Sequence, residues 1–252
     1  MLVAERHAKI LEVLEEKNAV TLDEFKKIFS VSESTLRNDL RTLEELNKLH
    51  RSHGGALKIV KDIEVPYSQR SLSNHQEKER IGREAAKRII PFETVYLDAG
   101  TTIMELAKSL PSDFEFNVVT SALNIATMSS KNSNISVHVT GGLLRPTLHE
   151  LVGPKCIQSI KEIRAQKLFL CASGLDLDRG VTENHIFSAE VKKAMIDSSE
   201  QVILLLDSSK IGKYFFTNLA PLQRVDVLIT DVNIPEHYDR SLQELGIEVV
   251  KV

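Results

Sequence analysis

The fold of the N-terminal part is decided by the stretch Val31-Ser-Glu-Ser-Thr-Leu-Arg-Asn-Asp-Leu-Arg-Thr-Leu-Glu-Glu45. Leu36, Leu40 and Leu43 recur in it every three or four residues, the spacing that places side chains on one face of an α-helix. The hydroxyl of Ser32 can cap the first turn of that helix. The stretch therefore predicts an amphipathic helix, and its opposite face is polar: Ser34, Arg37, Asn38 and Arg41.

Two further helices and a hairpin flank this helix. Residues 7–14 repeat apolar side chains with the helical period, and Thr21-Leu-Asp-Glu24 has the capping-box pattern that starts a second helix. After the third helix, residues 49–57 form two short extended pieces around a glycine pair, which is typical of a small hairpin. Three helices and a hairpin predict a winged helix-turn-helix domain over residues 1–58.

The polar face of the third helix suits the major groove of DNA. Arginine can read guanine there, asparagine can read adenine, and serine and threonine near the helix N-terminus can hold phosphates. The alternative is an ordinary solvated face, and net charge does not decide, because residues 1–60 contain ten Lys+Arg and ten Asp+Glu. Placement favours DNA, since the basic residues gather on the third helix and the hairpin. The predicted DNA-binding residues are Ser32, Ser34, Thr35, Arg37, Asn38, Arg41, Arg51, His53 and Gly54.

Residues 31–45, together with His50-Arg-Ser-His-Gly-Gly-Ala56, resemble the DeoR-type family of bacterial sugar-metabolism repressors. The family usually has a second arginine at the position of Asn38, so the affinity or sequence preference of this chain for DNA is expected to differ. Asn47 stands where the family commonly has glycine, and asparagine also tolerates the left-handed conformation. The resemblance implies a repressor whose partner is double-stranded operator DNA.

From residue 75 onward, short β-branched strands alternate with helices. Before it, residues 59–74 contain Pro66, scattered charge and little periodicity, so they are interpreted as a linker. The alternation predicts an α/β domain over residues 75–252, with a largely parallel sheet covered by helices on both faces. Strands are expected near residues 94–98, 117–120, 135–140, 167–173, 201–207, 226–230 and 247–250. Helices are expected near residues 77–90, 101–109, 121–130, 187–199 and 235–245.

Several of the predicted strands end in small polar residues. They do so at residues 98–102, 120–122, 140–142 and 207–210. The carboxyl ends of parallel strands share one edge of the sheet, where ligands bind. Gly100-Thr-Thr102 is expected to begin a helix, so its backbone N–H groups and its two hydroxyls could bind an anion. Lys210 would add positive charge, which favours a phosphate. Turn formation alone would explain each of these polar residues taken singly. Their recurrence at one edge of the sheet favours a ligand-binding site. No GxGxxG or GxxxxGK motif occurs, so no nucleotide cofactor is expected.

This strand-end pattern resembles the C-terminal sensor domain of the DeoR family, which is similar in fold to ribose-5-phosphate isomerase and binds phosphorylated sugars. The resemblance implies the following effector-binding residues: Asp98, Gly100, Thr101, Thr102, Thr120, Ser121, Gly141, Gly142, Arg145 and Lys210. Glu150, Glu190 and Lys213 are further candidates.

A sugar-phosphate isomerase with an accessory DNA-binding domain is the competing hypothesis. The isomerase resemblance requires an Asp-Gly-Ala-Asp motif at Ala172-Ser-Gly-Leu-Asp176, because moving a proton between two sugar carbons needs positioned acid and base groups. Ser173 takes the place of the first aspartate, and a hydroxyl with no adjacent base does not replace a carboxylate. The sequence therefore predicts a regulator and no catalytic residues, with Asp176 and Glu190 as candidates to bind sugar hydroxyls.

Composition excludes several other classes of protein. Cys156 and Cys171 are too few for a disulfide scaffold, and no His or Cys spacing matches a zinc site, so buried thiols and no metal are expected. With 32 Lys+Arg and 35 Asp+Glu the net charge is -3, so any nucleic-acid site must be local. No apolar run is long enough to cross a bilayer and no signal-peptide core opens the chain, so a cytoplasmic protein without a membrane partner is expected.

The repressor is expected to work as a homo-oligomer, a dimer or a tetramer. One helix-turn-helix per chain contacts too little DNA for useful specificity, and an oligomer gains by pairing two half-sites. A phosphorylated sugar is expected to release it from the operator of a sugar-catabolism operon, since an intermediate of the pathway then lifts the repression. The alternative is an effector that strengthens DNA binding.

Overall fold

The chain divides into two compact units, Met1–Ile63 and Glu64–Val252. The computed structural model describes residues 3–17, 19–29, 31–45, 48–52, 54–58 and 67–252. Residues 59–66, the first half of the predicted linker, therefore lie outside the described residues. The second half of that segment contains a helix, Tyr67–Leu72, which belongs to the second unit.

The described part of the N-terminal unit contains three helices and a small sheet. The helices are α1 (Val3–Lys17), α2 (Leu22–Ile28) and α3 (Glu33–Glu45), and the strands are β1 (Ala19–Thr21), β2 (Leu49–Ser52) and β3 (Gly55–Lys58). The strands pair antiparallel in the order β1-β3-β2. β2 and β3 form the predicted hairpin. The sequence does not predict β1, because three residues are too few to show a period.

Both helix caps predicted in this unit are present. The backbone N–H of Glu24 donates to the Thr21 hydroxyl at 3.2 Å, and the N–H of Thr21 donates to the Glu24 carboxylate at 2.9 Å. The N–H of Thr35 donates to the Ser32 hydroxyl at 3.2 Å. Each cap satisfies N–H groups that have no partner inside the helix, and so it fixes where α2 and α3 begin.

A close approach of two strands explains one glycine of the hairpin. A Cβ atom added to Gly55 would lie 2.1 Å from the carbonyl oxygen of Val20, which is on β1. Only glycine therefore lets β3 pair with β1 at this point. The strand pairing, in turn, closes the unit's apolar core, which holds Val20 and Leu49 beside side chains from all three helices.

The C-terminal unit is built on one large parallel sheet. Its described strands are, in chain order, β4 (Thr94–Leu97), β5 (Phe116–Thr120), β6 (Ile135–Val139), β7 (Leu143–Arg145), β8 (Glu150–Val152), β9 (Ala165–Leu170), β10 (Gly174–Asp176), β11 (Gly180–Glu183), β12 (Ser199–Leu205), β13 (Thr217–Ala220), β14 (Val227–Thr230) and β15 (Glu248–Lys251). Seven of them form the sheet in the order β15-β14-β12-β9-β4-β5-β6, with every pair parallel. These seven strands are the seven that the sequence predicts, which confirms the α/β class.

Helices cover both faces of this sheet. They are α4 (Tyr67–Leu72), α5 (His75–Ala86), α6 (Thr101–Lys108), α7 (Leu123–Ser129), α8 (Pro154–Lys161), α9 (Ile186–Asp197) and α10 (Glu236–Glu244). Alternate residues of β4 separate the two layers: Val95 and Leu97 pack with α5, α6 and α7, whereas Tyr96 packs with α8 and α9. The sequence does not predict α4 or α8. Among the described residues, no helix combines the length and apolar character that a bilayer crossing needs.

Two small antiparallel pieces follow the carboxyl ends of the sheet strands. β7 and β8 form a hairpin after β6, and β10, β11 and β13 form a three-stranded sheet after β9. The sequence predicts neither, because each strand has only three or four residues. The hairpin carries Arg145, a predicted effector residue, and the three-stranded sheet carries Asp176, a candidate to bind sugar hydroxyls.

The strand order changes direction between β4 and β9. From β4 the chain builds outward through β5 and β6, and it then returns to β9 and builds outward on the other side through β12, β14 and β15. In an open parallel sheet, the loops at such a reversal part from one another and leave a crevice at the carboxyl ends of the two strands. The residues after Leu97 and after Leu170 border that crevice.

Candidate functional site

The polar face of α3 is exposed and its apolar face is buried, as the sequence predicts. Leu36, Leu40 and Leu43 are each at most 3% exposed. The exposed side chains of the other face are Ser34, Arg37, Asn38 and Arg41. At the N-terminal end of the helix, the hydroxyl of Ser32 lies 2.8 Å from those of both Ser34 and Thr35. Five predicted DNA-binding residues thus lie on α3, and a sixth, Ser32, caps its first turn.

The hairpin supplies the remaining predicted DNA-binding residues. Gly54 is exposed in its turn, and its carbonyl accepts a hydrogen bond from the N–H of Leu22 at 2.7 Å. Arg51 lies on β2. The side chain of Arg51 and the whole of His53 lie outside the described residues, so their roles stay predictions.

A buried ion pair that the sequence does not predict holds α3 against α1. The Arg6 guanidinium donates to both carboxylate oxygens of Asp39, at 2.6 and 3.0 Å, and the His7 ring lies 3.1 Å from the same carboxylate. Burial alone would raise the pKa of Asp39, but these hydrogen bonds hold it below its ordinary value. A bidentate pair fixes orientation as well as distance, so it sets the rotation of the polar face of α3.

Arg37 is already engaged in an ion pair of its own. Its guanidinium donates to the Glu33 carboxylate at 2.8 Å, and Lys26 of α2 donates to the same carboxylate, also at 2.8 Å. Hydrogen bonds from Lys26 and Arg37 lower the pKa of Glu33. Binding of Arg37 to a base or phosphate would therefore exchange one charged partner for another.

We expect Arg37→Ala and Arg41→Ala each to weaken specific DNA binding by about 1–3 kcal/mol, because each removes a side chain able to read a base edge. Fluorescence anisotropy on a DNA site selected by the protein from a random pool measures the loss. Lys9→Ala, which removes an exposed cation from α1, is the matched control and should leave the affinity unchanged. Wild-type affinity in both arginine variants would remove α3 from the DNA interface.

In the C-terminal unit, the first turn of α6 borders the crevice between β4 and β9. Gly100 precedes this helix and no side chain caps it. A Cβ atom on Gly100 would lie 2.3 Å from the sulfur of Cys171, so a larger residue would not fit beside β9. Thr101 and Thr102 are both buried. The first N–H groups of a helix have no partner inside it, and with the helix dipole they suit an anion.

A cluster of buried charges ties the two sides of the crevice together. The Lys192 ammonium of α9 donates to Glu183 at 2.6 Å and to the Cys171 carbonyl at 2.9 Å, and it lies 3.2 Å from Asp98. The N–H groups of Ala99 and Cys171 donate to the Asp98 carboxylate, and the Ser173 hydroxyl donates to Glu183. The expectation that Ser173 has no adjacent base is therefore wrong, because the pairing of β10 with β11 brings the Glu183 carboxylate to it. Burial alone would lower the pKa of Lys192, but the surrounding negative charges raise it well above its ordinary value.

The sequence identifies Asp98 in this cluster but neither Glu183 nor Lys192. An acid on a strand and a lysine on a helix are ordinary exposed residues by pattern alone. One signal in the sequence could have indicated that Lys192 is buried. It lies among apolar residues that occupy buried positions of α9: Val191, Ala194, Met195 and Ile196.

The carboxyl end of β5 and the β7–β8 hairpin form the next part of the crevice. Arg145 of β7 donates to the Ser188 hydroxyl at 2.6 Å, and Ser188 donates to the Glu150 carboxylate at 2.7 Å. Burial raises the pKa of Glu150 to about 7. Among the described residues, the Ser121 hydroxyl and the second carboxylate oxygen of Glu150 are buried without a hydrogen-bond partner. Such atoms are rare in folded proteins, and each calls for a bound group or water.

Other predicted effector residues have structural explanations of their own. The Thr120 hydroxyl accepts from the N–H of Ala122 at 3.0 Å. Gly142 has a φ of 136°, and a Cβ atom there would lie 2.6 Å from the Val152 carbonyl, so the hairpin itself requires glycine. Gly141 is exposed. Asp176, a candidate for sugar hydroxyls, accepts from the N–H groups of Asp178 and Arg179 in its own turn.

Lys210 lies in a group of basic residues after β12. Burial lowers its pKa, and the charges of Arg70 and Lys213 lower it further, while Asp207 opposes them. Asp207 is buried and accepts from Asn74 at 2.9 Å. Lys213 and Glu190, the weaker candidates, are both exposed. Of the two cysteines, Cys156 is buried as expected, whereas Cys171 is partly exposed.

Both parts of the chain match known domain families. The DeoR C terminal sensor domain matches residues 73–232, and the DeoR-like helix-turn-helix domain matches residues 6–61. The chain belongs to the DeoR family. An HTH-type transcriptional regulator of Bacillus subtilis, YulB, is 40% identical to this DeoR-family chain over 100% of its length and 98% of YulB. The glycerol-3-phosphate regulon repressor of Escherichia coli is 32% identical over 92% of each chain.

The relatives of this DeoR-family chain confirm the prediction of a transcriptional regulator over that of an isomerase. Among solved structures, ribose 5-phosphate isomerase A from Methanocaldococcus jannaschii is similar at 12% identity with a TM-score of 0.41, covering 55% of each chain.

Proposed function

We propose that this DeoR-family regulator represses a sugar-catabolism operon and that a phosphorylated sugar in the β4–β9 crevice releases it from its operator. The proposal is carried by one observation, the buried polar atoms of Ser121 and Glu150 that lack partners at the edge of this crevice. A sugar hydroxyl can donate to a carboxylate oxygen and accept from a serine, so it would satisfy both atoms.

The phosphate of the same ligand is proposed to bind at the first turn of α6. The N–H groups there, the hydroxyls of Thr101 and Thr102, and the Lys210 ammonium together suit a dianion. The name of the Escherichia coli relative, a glycerol-3-phosphate regulon repressor, supports a small phosphorylated metabolite as the effector class. Arg145 and Asp98 are proposed to contact the sugar.

The DNA partner is proposed to bind along the exposed face of α3 and the hairpin, in the cytoplasm, where bacterial operators are. A homo-oligomer is proposed as the binding form, because two α3 helices reading two half-sites multiply the specificity of one. Release follows from thermodynamic linkage. If the sugar and the operator favour different arrangements of the protein, the sugar weakens DNA binding by the same factor by which DNA weakens sugar binding.

The experiment is an operator gel shift titrated with a panel of sugar phosphates. The operator is selected from a random DNA pool by the protein, and the free sugars serve as controls for the phosphate requirement. We expect one phosphorylated sugar to release the DNA while its free form does not. Release by none of the panel, or equal release by a free sugar, would contradict the proposed effector class.

We expect Lys210→Met to give a repressor that stays on its operator at effector concentrations that clear the wild type. The substitution removes a proposed phosphate contact, and a typical coupling free energy of about 1–3 kcal/mol corresponds to a 5- to 150-fold change in operator affinity. The same gel shift measures it. Lys155→Met, at an exposed lysine of α8, is the matched control. If Lys210→Met and the Thr101→Val, Thr102→Val double variant both respond like the wild type, the phosphate binds elsewhere.

A further inference from the structure

Arg70 is an arginine of the C-terminal unit that the predicted site does not include. It lies on α4, which packs against α6 beside the crevice. Its guanidinium Nε atom is buried and has no hydrogen-bond partner among the described residues. A buried donor that belongs to a charged group is costly to leave unpaired, so this atom calls for an acceptor.

Two lysines, Lys78 and Lys210, lie in the surroundings of Arg70. Lys78 of α5 is buried, and its ammonium donates to the carbonyls of Arg70 and Ser73 at 2.6 Å each. Burial lowers the pKa of Lys78; the charge of Asp207 opposes this, and those of Lys210 and Arg70 lower it further. Arg70, Lys78 and Lys210 come from three separate segments of the chain and repel one another, and the Asp207 carboxylate offsets part of that repulsion. A bound anion would offset more of it, because it attracts all three cations.

The position of α4 is also held from the hairpin side. The N–H of Tyr67 donates to the carbonyl of Thr147 at 3.2 Å, and the Tyr67 ring packs edge-on against that of His149, with centroids 5.6 Å apart. These contacts hold the start of the helix, whereas Arg70 at its centre has no acceptor for its Nε donor. An anion bound to Arg70 would therefore add the missing tie between α4 and the strand-end loops.

We propose that Arg70 binds the anionic group of the effector together with Lys210 and that this contact secures α4 on the C-terminal unit. The inference rests on the proposed function and deepens it by naming a residue and a helix through which the effector would act. In the chain, α4 is the first described element after the DNA-binding unit, whose last residue is Ile63. A ligand that secures α4 therefore acts on the segment through which the sensor is joined to the DNA-binding unit.

The test uses the full chain with inorganic phosphate as the probe and chloride at equal ionic strength as the reference. Phosphate affinity is measured from the dose-dependent rise in melting temperature of the C-terminal unit. Hydrogen exchange is followed in two peptides, residues 67–74 and residues 98–104. The variants are Arg70→Met, Arg70→Lys and the control Arg83→Met, at an exposed arginine of α5.

We expect Arg70→Met to bind phosphate at least about tenfold more weakly than the wild type, which corresponds to the loss of one charged hydrogen-bonded contact. Arg70→Lys should be intermediate, and Arg83→Met unchanged. In chloride, Arg70→Met should melt no lower than the wild type, because it removes an unpaired charge. A purely structural arginine would show the opposite, so a lower melting temperature in chloride would overturn the proposal.

The hydrogen-exchange data distinguish the proposed role of α4 from the proposed function. In the wild type, phosphate should slow exchange in both peptides, and in Arg70→Met it should slow only residues 98–104. Slowing at residues 98–104 without any effect on residues 67–74 in the wild type would overturn the role of α4 and leave the proposed function intact. No slowing in either peptide, with no rise in melting temperature, would count against both.

Discussion

Substitution of Lys192 by methionine is expected to lower the free energy of unfolding of the C-terminal unit by about 3–5 kcal/mol. The ammonium of Lys192 is buried between the carboxylates of Asp98 and Glu183, at 3.2 and 2.6 Å. Methionine has nearly the same length but no charge, so it would leave two buried carboxylates without their cation. Urea unfolding, followed by a probe in the C-terminal unit, measures the change.

The neighbouring residue provides a matched control. Lys193 is on the same helix but exposed, so Lys193→Met should change the free energy of unfolding by less than about 0.5 kcal/mol. Equal effects of the two substitutions would show that the buried cluster does not stabilise the unit. Restoration of the stability of Lys192→Met by a second substitution, Glu183→Gln, would support the charge explanation, because it removes one of the stranded carboxylates.

Substitution of Glu150 by glutamine is expected to make the C-terminal unit less sensitive to pH. Burial raises the pKa of Glu150 to about 7, above its ordinary value of 4.5. The folded form therefore holds this proton more tightly than the unfolded form. The resulting stability is complete below about pH 4.5 and is lost as the pH rises to 7, by about 3 kcal/mol in all.

The measurement is the free energy of unfolding of wild type and Glu150→Gln from pH 5 to pH 8. Glutamine carries no proton to lose, and its oxygen can still accept from Ser188. The stability of the variant relative to the wild type should increase from pH 5 to about pH 7 and then level off, whereas Glu200→Gln, at an exposed acid, should follow the wild type. A difference that is constant with pH would mean that Glu150 titrates near its ordinary value in the folded protein.

Local patterns predicted the elements with a clear period. Leu36, Leu40 and Leu43 are enough to orient α3, because a helix repeats its faces within one turn. The seven parallel strands were predicted because strands covered on both sides are nearly continuous apolar runs, such as residues 201–207. Short elements such as β1 or β10 contain too few residues for any period to be visible.

Contacts between distant residues account for what the sequence could not reveal. Asp39 and Arg6 are 33 positions apart, and neither has a local feature that marks it as buried. Lys192 meets Asp98 only because α9 and β4 converge at the crevice. Asp98, Ser121 and Lys210 could be identified as candidates because they follow the carboxyl ends of predicted parallel strands, where ligands bind. Arg70 could not be identified in this way, because it lies on a helix outside the alternation of strands and helices.

The strand order also determines when each part of the protein can assemble as the ribosome delivers the chain. β4 is followed at once by β5 and β6, but its other neighbour, β9, ends only at Leu170. At roughly 5–20 residues per second, β4 keeps one bare edge for on the order of several seconds. The N-terminal unit ends at Ile63 and is complete well before then. In a newly made chain, the DNA-binding unit can therefore fold before the C-terminal unit is complete.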